Sequence, residues 1–298
     1  MLVLKHIPED FIVDEVTTIK PKETGRFVYF RLRKRGYNTI DALKQVAIRK
    51  GLPMTRFSFA GLKDKTAMTS QVCGVEGVRK ETLDRIVIAG IDVEFLGYGD
   101  EPVHVGDLEG NQFKITLRNL DSLPNFLPKF RNLFGVQRLS KQNADIGRYL
   151  VKREFKKVCE LLNISVAGTD YIGGLRKYSR KLLLFFVHAY QSLMWNRAAM
   201  MSKRDTLPIV GFGTVVDDDA TTAVLAEEAV TPRDFIIREL PEVSAEGSTR
   251  QVWVEAKGLK VGELQDDEHF AGKKKVTVEF FLPKGCYATE FIRQNVAQ

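Results

Sequence analysis

From Tyr178 to about Met201 the chain is apolar on nearly every side of a helical wheel. A helix of that kind cannot lie on a surface, because it offers no polar face to water, so other elements must enclose it. No apolar run here is long enough to cross a bilayer. The stretch therefore reads as a central, buried helix, and the rest of the chain has to supply what packs around it.

What surrounds it is a mixture. Phe11 to Val16 and Arg26 to Leu32 have the two-residue period of strands, the second placing Phe27, Tyr29 and Arg31 on one face and Val28, Phe30 and Leu32 on the other,. A helix follows, capped by Asn38 or Thr39, with Ile40, Leu43, Val46 and Ala47 inward and Gly51 as its stop,. Short strands are predicted at Phe57 to Ala60 and Thr69 to Val75, then a helix with Leu83, Ile86 and Val87 inward, then strands at Val93 to Leu96 and Phe113 to Leu117,. The middle is more helical, at Ala144 to Leu150 and Phe155 to Leu162, and strands return at Val252 to Ala256 and Val276 to Leu282. Strands and helices mixed irregularly, with alternating faces, point to an α+β fold with a largely antiparallel sheet.

Charge narrows the class of partner. Lys and Arg number 45 against 38 Asp and Glu, a net +7 that favours a polyanion,. The three cysteines, Cys73, Cys159 and Cys286, are far apart and in no CxxC pattern, which argues against a disulfide framework and a zinc site,. His6, His104, His188 and His269 stand apart from carboxylates at ligand spacing, and no GxGxxG or Walker pattern occurs, so neither a metal nor a nucleotide cofactor is expected,. The N-terminus shows no basic, apolar and cleavage-site pattern, which places the protein in the cytoplasm by expectation. Between Asp205 and about Arg250 the texture turns acidic, with Asp217, Asp218, Asp219, Glu227 and Glu228 among the residues responsible, and reads as an inserted module,.

One charged loop stands between two of the expected strands: Phe59-Ala60-Gly61-Leu62-Lys63-Asp64-Lys65-Thr66-Ala67-Met68-Thr69-Ser70-Gln71. Its plain reading is a solvated turn. Its functional reading is that Lys63 and Lys65 favour an ionised Asp64 and draw in phosphate, leaving a carboxylate beside a bound nucleotide. Arg31, Arg33, Lys34 and Arg35, set among Phe30 and Tyr37, have the pattern of a surface that contacts RNA phosphates, with solvated side chains as the competing account,.

The loop resembles the signature of TruD-type pseudouridine synthases, in which the aspartate after Gly-x-Lys is catalytic. Five further segments resemble that family in the same order: Pro8 to Glu15, Lys34 to Thr39, Asn132-Leu133-Phe134-Gly135-Val136-Gln137-Arg138, Ala189 to Asn196, and Phe281 to Arg293. The resemblance implies a pseudouridine-synthase fold with a mixed, mainly antiparallel sheet, flanking helices and a small inserted module. Residues 1–155 and 252–298 would form the catalytic domain, and 156–251, including the central helix, the insert.

It further implies an isomerase acting on tRNA, at uridine 13, with Asp64 as nucleophile or base and no cofactor. Pseudouridine formation must break a glycosidic bond, turn the uracil and rejoin it through C5, which calls for a carboxylate at the sugar and a surface for the detached base. Phe134, at the family's pocket phenylalanine, would stack on the uracil, and Asn132 would hydrogen-bond Asp64 or the base. Lys63, Lys20 and Arg293 are expected at the substrate, the last two either pairing with Asp64 or touching RNA. A monomer is the default expectation, and a non-catalytic tRNA-binding or RNA-folding protein on the same fold is the alternative.

Overall fold

The computed structural model describes residues 2–84, 86–139 and 142–296. In chain order its strands are β1 (Phe11–Thr17), β2 (Phe27–Arg35), β3 (Phe57–Phe59), β4 (Met68–Glu76), β5 (Ile91–Gly99), β6 (Leu108–Leu120), β7 (Lys129–Arg131), β8 (Thr206–Ile209), β9 (Ser248–Gln251), β10 (Trp253–Glu255), β11 (Lys257–Val261), β12 (Gln265–Asp266) and β13 (Lys274–Pro283). The helices are α1 (Thr39–Lys50), α2 (Val136–Leu139), α3 (Asn143–Val151), α4 (Phe155–Leu161), α5 (Tyr171–Arg176), α6 (Arg180–Met201), α7 (Asp219–Glu228) and α8 (Ala288–Val296). The contacts separate two units, one built from the chain through Pro128 with Ala256–Ala288, the other from Lys129–Glu255 with the segment from Thr289.

The first unit is organised by a nine-stranded sheet in the order β11-β13-β6-β1-β4-β2-β5, with β3 added on β4 and β12 on β13. Within it β1 and β4 run parallel and the other pairings are antiparallel. The alternation read in β2 holds: Val28, Phe30 and Leu32 are buried with Ala42, Leu43, Val46 and Ala47 of α1, while Phe27 and Tyr29 join Val72, Val103 and Leu108 in a second cluster. Helix α1 starts where Asn38 accepts a bond from the Asp41 N–H and stops at Gly51, whose φ of 64° suits a residue without Cβ,.

The expectations change in places, beginning with Ile40, expected inward on α1 and 38% exposed. No helix follows Leu83 among the described residues; a single 3-10 turn covers Lys80–Thr82, and Val87 is 79% exposed. The length is needed for turning into β5, since Ile88 bridges Ile91 and Gly90 takes a φ of 76° between them. The contacts divide the chain after Pro128 and again after Glu255, where the boundaries expected from sequence fall after 155 and after 251. Strand β7 pairs with β10 instead of extending the large sheet, Phe130 opposite Val254, which gathers the Asn132 to Arg138 segment into the second unit.

The second unit surrounds α6, in which Tyr190 and Trp195 are almost wholly buried. The acidic stretch folds as part of this unit. Asp218 caps α7 by accepting from the Thr221 N–H at 2.7 Å, and buried Glu228 at the other end gathers Arg148, Arg197 and the Tyr190 hydroxyl. Helix α8 lays Phe291 edge-on to Phe130, with ring centroids 5.2 Å apart, and its Gln294 brackets the backbone of Arg131 with two hydrogen bonds.

Candidate functional site

The loop between β3 and β4 is fixed at its ends by Ala60 and Ala67, both buried, and between them by side chains from elsewhere. Thr39, at the start of α1, accepts from the Lys63 N–H at 2.8 Å and donates to Gln71, whose amide donates to the Gly61 carbonyl at 3.0 Å. Lys34, 3% exposed, points its ammonium at the carbonyls of Tyr37 (2.6 Å), Asp64 (2.7 Å) and Lys63 (3.4 Å). Burial pushes the Lys34 ammonium down to about 8, because an ion loses its hydration there,. A loop with its backbone pinned at Gly61, Lys63 and Asp64 presents a carboxylate in one place, and the Asp64 side chain remains 44% exposed.

The cation on Asp64 is not the one the sequence suggests. The Lys63 ammonium turns inward, 2.5 Å from Asn111 Oδ1 and 3.1 Å from Glu15 Oε2, where the Glu15 carboxylate is fully buried. Lys63, expected at the substrate, is engaged here with the sheet: a buried Glu needs a partner charge, and Lys63 supplies it,. Asp64 is instead paired with Lys5, which also stands over the Phe11 ring at 4.1 Å. Lys5 has a φ of 58°, a left-handed conformation that costs a non-glycine residue about 1–2 kcal/mol,. The segment is held there by Asp10, which accepts from the Ile7 N–H and from Arg118 at 2.9 Å, while Arg118 also reaches Asp267. Lys20 is exposed in the connection after β1, and Lys5 takes the place expected for it beside the carboxylate.

Lys34, expected at the RNA backbone, has its ammonium on the loop carbonyls. Arg33 is exposed but bound to Asp92 at 2.9 Å and Glu94 at 2.5 Å, and Arg35 is bound to Glu9 at 2.5 Å. A groove of about 390 Å³ opens beside them, lined by Ile12, Asp14, Arg33, Arg35, Met68 and Ser70 among others.

In the second unit Asn132 and Phe134 come together. The Asn132 N–H donates to Val252 and its side-chain amide to the Gln251 carbonyl, while Arg250 donates to Asn132 O at 3.0 Å and to its Oδ1 at 2.7 Å. Asn196 of α6 clasps the Phe134 backbone, accepting from its N–H at 2.8 Å and donating to its carbonyl at 3.0 Å. The Phe134 ring, 8% exposed, meets Trp195 edge-on, with the guanidinium of Arg250 4.1 Å and that of Arg138 5.3 Å from its centre. Two motifs read separately in the sequence, 132–138 and 189–196, are thus one structure. His188 of α6 is held below its ordinary value by burial and then by the charge of Arg138. Arg293 is bound to buried Glu290 at 2.7 Å on α8.

Chemically, the first unit offers a fixed, half-exposed carboxylate with an ammonium, and the second a buried aromatic ring backed by guanidinium groups. Sequence reasoning missed Lys5 and Arg250. Lys5 precedes the Pro8-Glu9-Asp10 segment with no pattern to mark it, and Arg250 closes a stretch that reads as acidic. Among the described residues no group of three or more His, Cys, Asp or Glu side chains is placed to hold a metal, and no helix is long and apolar enough to cross a membrane.

Comparison with known proteins gives one answer. A family model described as tRNA pseudouridine synthase D (TruD) matches residues 2–168 and 203–295. The chain is 23% identical to tRNA pseudouridine synthase D of Aquifex aeolicus, across 98% of its own length and 97% of that protein. It is 26% identical to the probable tRNA pseudouridine synthase D of Methanosarcina mazei, across 98% and 92%. A crystal structure of a Methanosarcina mazei protein assigned to TruD superposes with a TM-score of 0.77 at 24% identity, covering 99% of this chain and 93% of that one, and shares its α+β fold.

Proposed function

This chain belongs to the TruD family of tRNA pseudouridine synthases, and from that premise we propose that it isomerises uridine 13 of tRNA in the cytoplasm, using Asp64 and no cofactor. At the coarser level it is an isomerase that forms pseudouridine in tRNA. The reaction breaks the C1′–N1 bond, turns the uracil and forms C1′–C5, with a proton leaving C5 and one gained at N1. Nothing is oxidised or reduced, so a carboxylate is a sufficient agent. Asp64 attacks C1′, attacks C6 or removes a proton to give a glycal; each route uses its charged oxygen.

The observation that carries this reading is the Asp64 loop, whose backbone is pinned by Lys34, Thr39 and Gln71 while the carboxylate stays half-exposed beside Lys5. A solvated turn has no need of side-chain hydrogen-bond partners at three places along its backbone, two donors and one acceptor. For the second unit we read Phe134 as a stacking surface for a base, worth about 1–3 kcal/mol, with Asn132 beside it for polar edges.

Asp64→Asn tests the first reading, because it keeps shape and hydrogen bonding but removes the charge. Pseudouridine at position 13, mapped by chemical labelling of tRNA exposed to the protein, should be abolished, while tRNA affinity stays within a few-fold. An Asn variant with the parent's rate means that another group does the chemistry. Labelling at a different uridine with the parent protein moves the assigned position and leaves Asp64 standing.

A further inference from the structure

Arg250 lies in β9, 118 residues from Asn132 in sequence, and its guanidinium meets Asn132 at two atoms and Phe134 at its ring. Its Nε donates to the Asn132 carbonyl at 3.0 Å, its Nη2 to the Asn132 side-chain oxygen at 2.7 Å, and its central carbon stands 4.1 Å from the Phe134 centroid and 5.3 Å from that of Trp195. The next residue, Gln251, accepts from the Asn132 amide nitrogen through its carbonyl. The amide of Asn132 is thereby held at both ends: oxygen to a donor, nitrogen to an acceptor, with no second orientation that satisfies both. The planar cation meanwhile supports the ring that Asn196 clasps by its backbone,.

We propose that Arg250 is a positioning residue for uridine isomerisation, one that fixes the Asn132 amide and the Phe134 ring in the arrangement a base must find. The inference rests on the reading of Phe134 as the base's stacking surface and adds the residue that sets it. It needs an arginine. Lysine carries the same charge but has neither the fork that reaches a carbonyl and a side-chain oxygen together nor a plane to lie against a ring.

The test uses the full chain and a tRNA transcript, with Arg250→Lys, Phe134→Leu and the two combined. Phe134→Leu keeps apolar bulk and removes the π-face. Single-turnover rate at saturating tRNA, tRNA affinity and thermal melting are measured for each. Arg250→Lys should slow the rate about tenfold or more, with affinity within a few-fold and melting within a few degrees. The double variant should be no slower than the slower single one, since both act on one surface. Arg250→Lys at the parental rate, a loss seen only in affinity, or penalties that multiply in the double variant overturn the inference. Should Arg250→Lys melt below the assay temperature, Arg250→Gln carries the test: a slowed rate with melting retained supports positioning, and a parental rate ends it. If Phe134→Leu turns over normally, the stacking reading fails and takes this inference with it. If Phe134→Leu is slow and Arg250→Lys is not, the inference fails alone.

Discussion

Lys34→Met asks whether a pinned backbone is what makes Asp64 useful. Lys34 is 3% exposed, and its ammonium gives short hydrogen bonds to the Tyr37 and Asp64 carbonyls, at 2.6 and 2.7 Å. Keeping it protonated when burial has brought it from 10.5 to about 8 costs the fold about 3 kcal/mol,. Methionine fills much the same volume and removes that cost. Against it, each carbonyl left dry costs roughly 1–3 kcal/mol, at the lower end where the loop can turn to water. The two sums nearly cancel, so melting should change little while the Asp64 loop loses its anchor and turnover falls about tenfold or more.

The dependence on pH separates anchoring from stability. Because the folded value of Lys34 lies below the unfolded one, the unfolded chain holds more protons between about 8 and 10.5, and linkage makes folding more favourable as pH rises through that window,. Turnover should move the other way, falling as the ammonium loses its proton near pH 8 and the carbonyls lose a donor. Release of tritium from C5-labelled uridine in tRNA, followed across that range at saturating substrate, measures it. The parent should show a falling limb near 8 that the methionine variant lacks, whereas any limb from the substrate's own ionisation appears in both. A methionine variant with the parent's rate and profile, or rate and melting that fall together, refutes the reasoning.

Two further outcomes follow from the charges around the site. Lys5→Gly should slow turnover while leaving stability nearly unchanged, since relief of the left-handed backbone, about 1–2 kcal/mol, offsets the loss of a partly exposed ion pair; melting and tritium release on the same preparation check it. Replacing Arg33 and Arg35 together by alanine should lower the slope of log affinity for tRNA against log salt by at most about 2, near 0.9 for each phosphate met. An unchanged slope leaves those arginines with Asp92, Glu94 and Glu9 as their only business.

Much of the first unit was legible because its strands are long and two-faced. Val276, Val278 and Phe280 alternate in β13 and are all buried, and α1 carries both of its end signals in the sequence. The losses were of two kinds. Strands of two to five residues such as β7, β8 and β12 are too short to show a period,. Apolar spacing at Leu83, Ile86 and Val87 fits a helix equally well as a turn whose length is needed elsewhere. The division of the chain was hidden for a related reason: it depends on Phe130 meeting Val254, a pairing that no local window contains.

The site shows the same limit in its charges. Resemblance names Asp64, but its counter-ion could not be found by adjacency, because the loop sends the Lys63 and Asp64 side chains to different partners. Glu15 and Asn111 are opposite each other on β1 and β6, and both reach the Lys63 ammonium. Once β1 buries Glu15, that carboxylate demands a cation, and the nearest in the loop is the residue before Asp64. Lys63 is therefore committed inward by the sheet register, and the ammonium beside Asp64 has to arrive on another segment. It comes with Lys5, 59 residues earlier, on a stretch that Asp10 and Arg118 lock in place. An isolated loop peptide, with Lys63 and Lys65 both free, would present a different electrostatic environment from the folded chain, which is why the motif names the carboxylate and only the fold names its counter-ion.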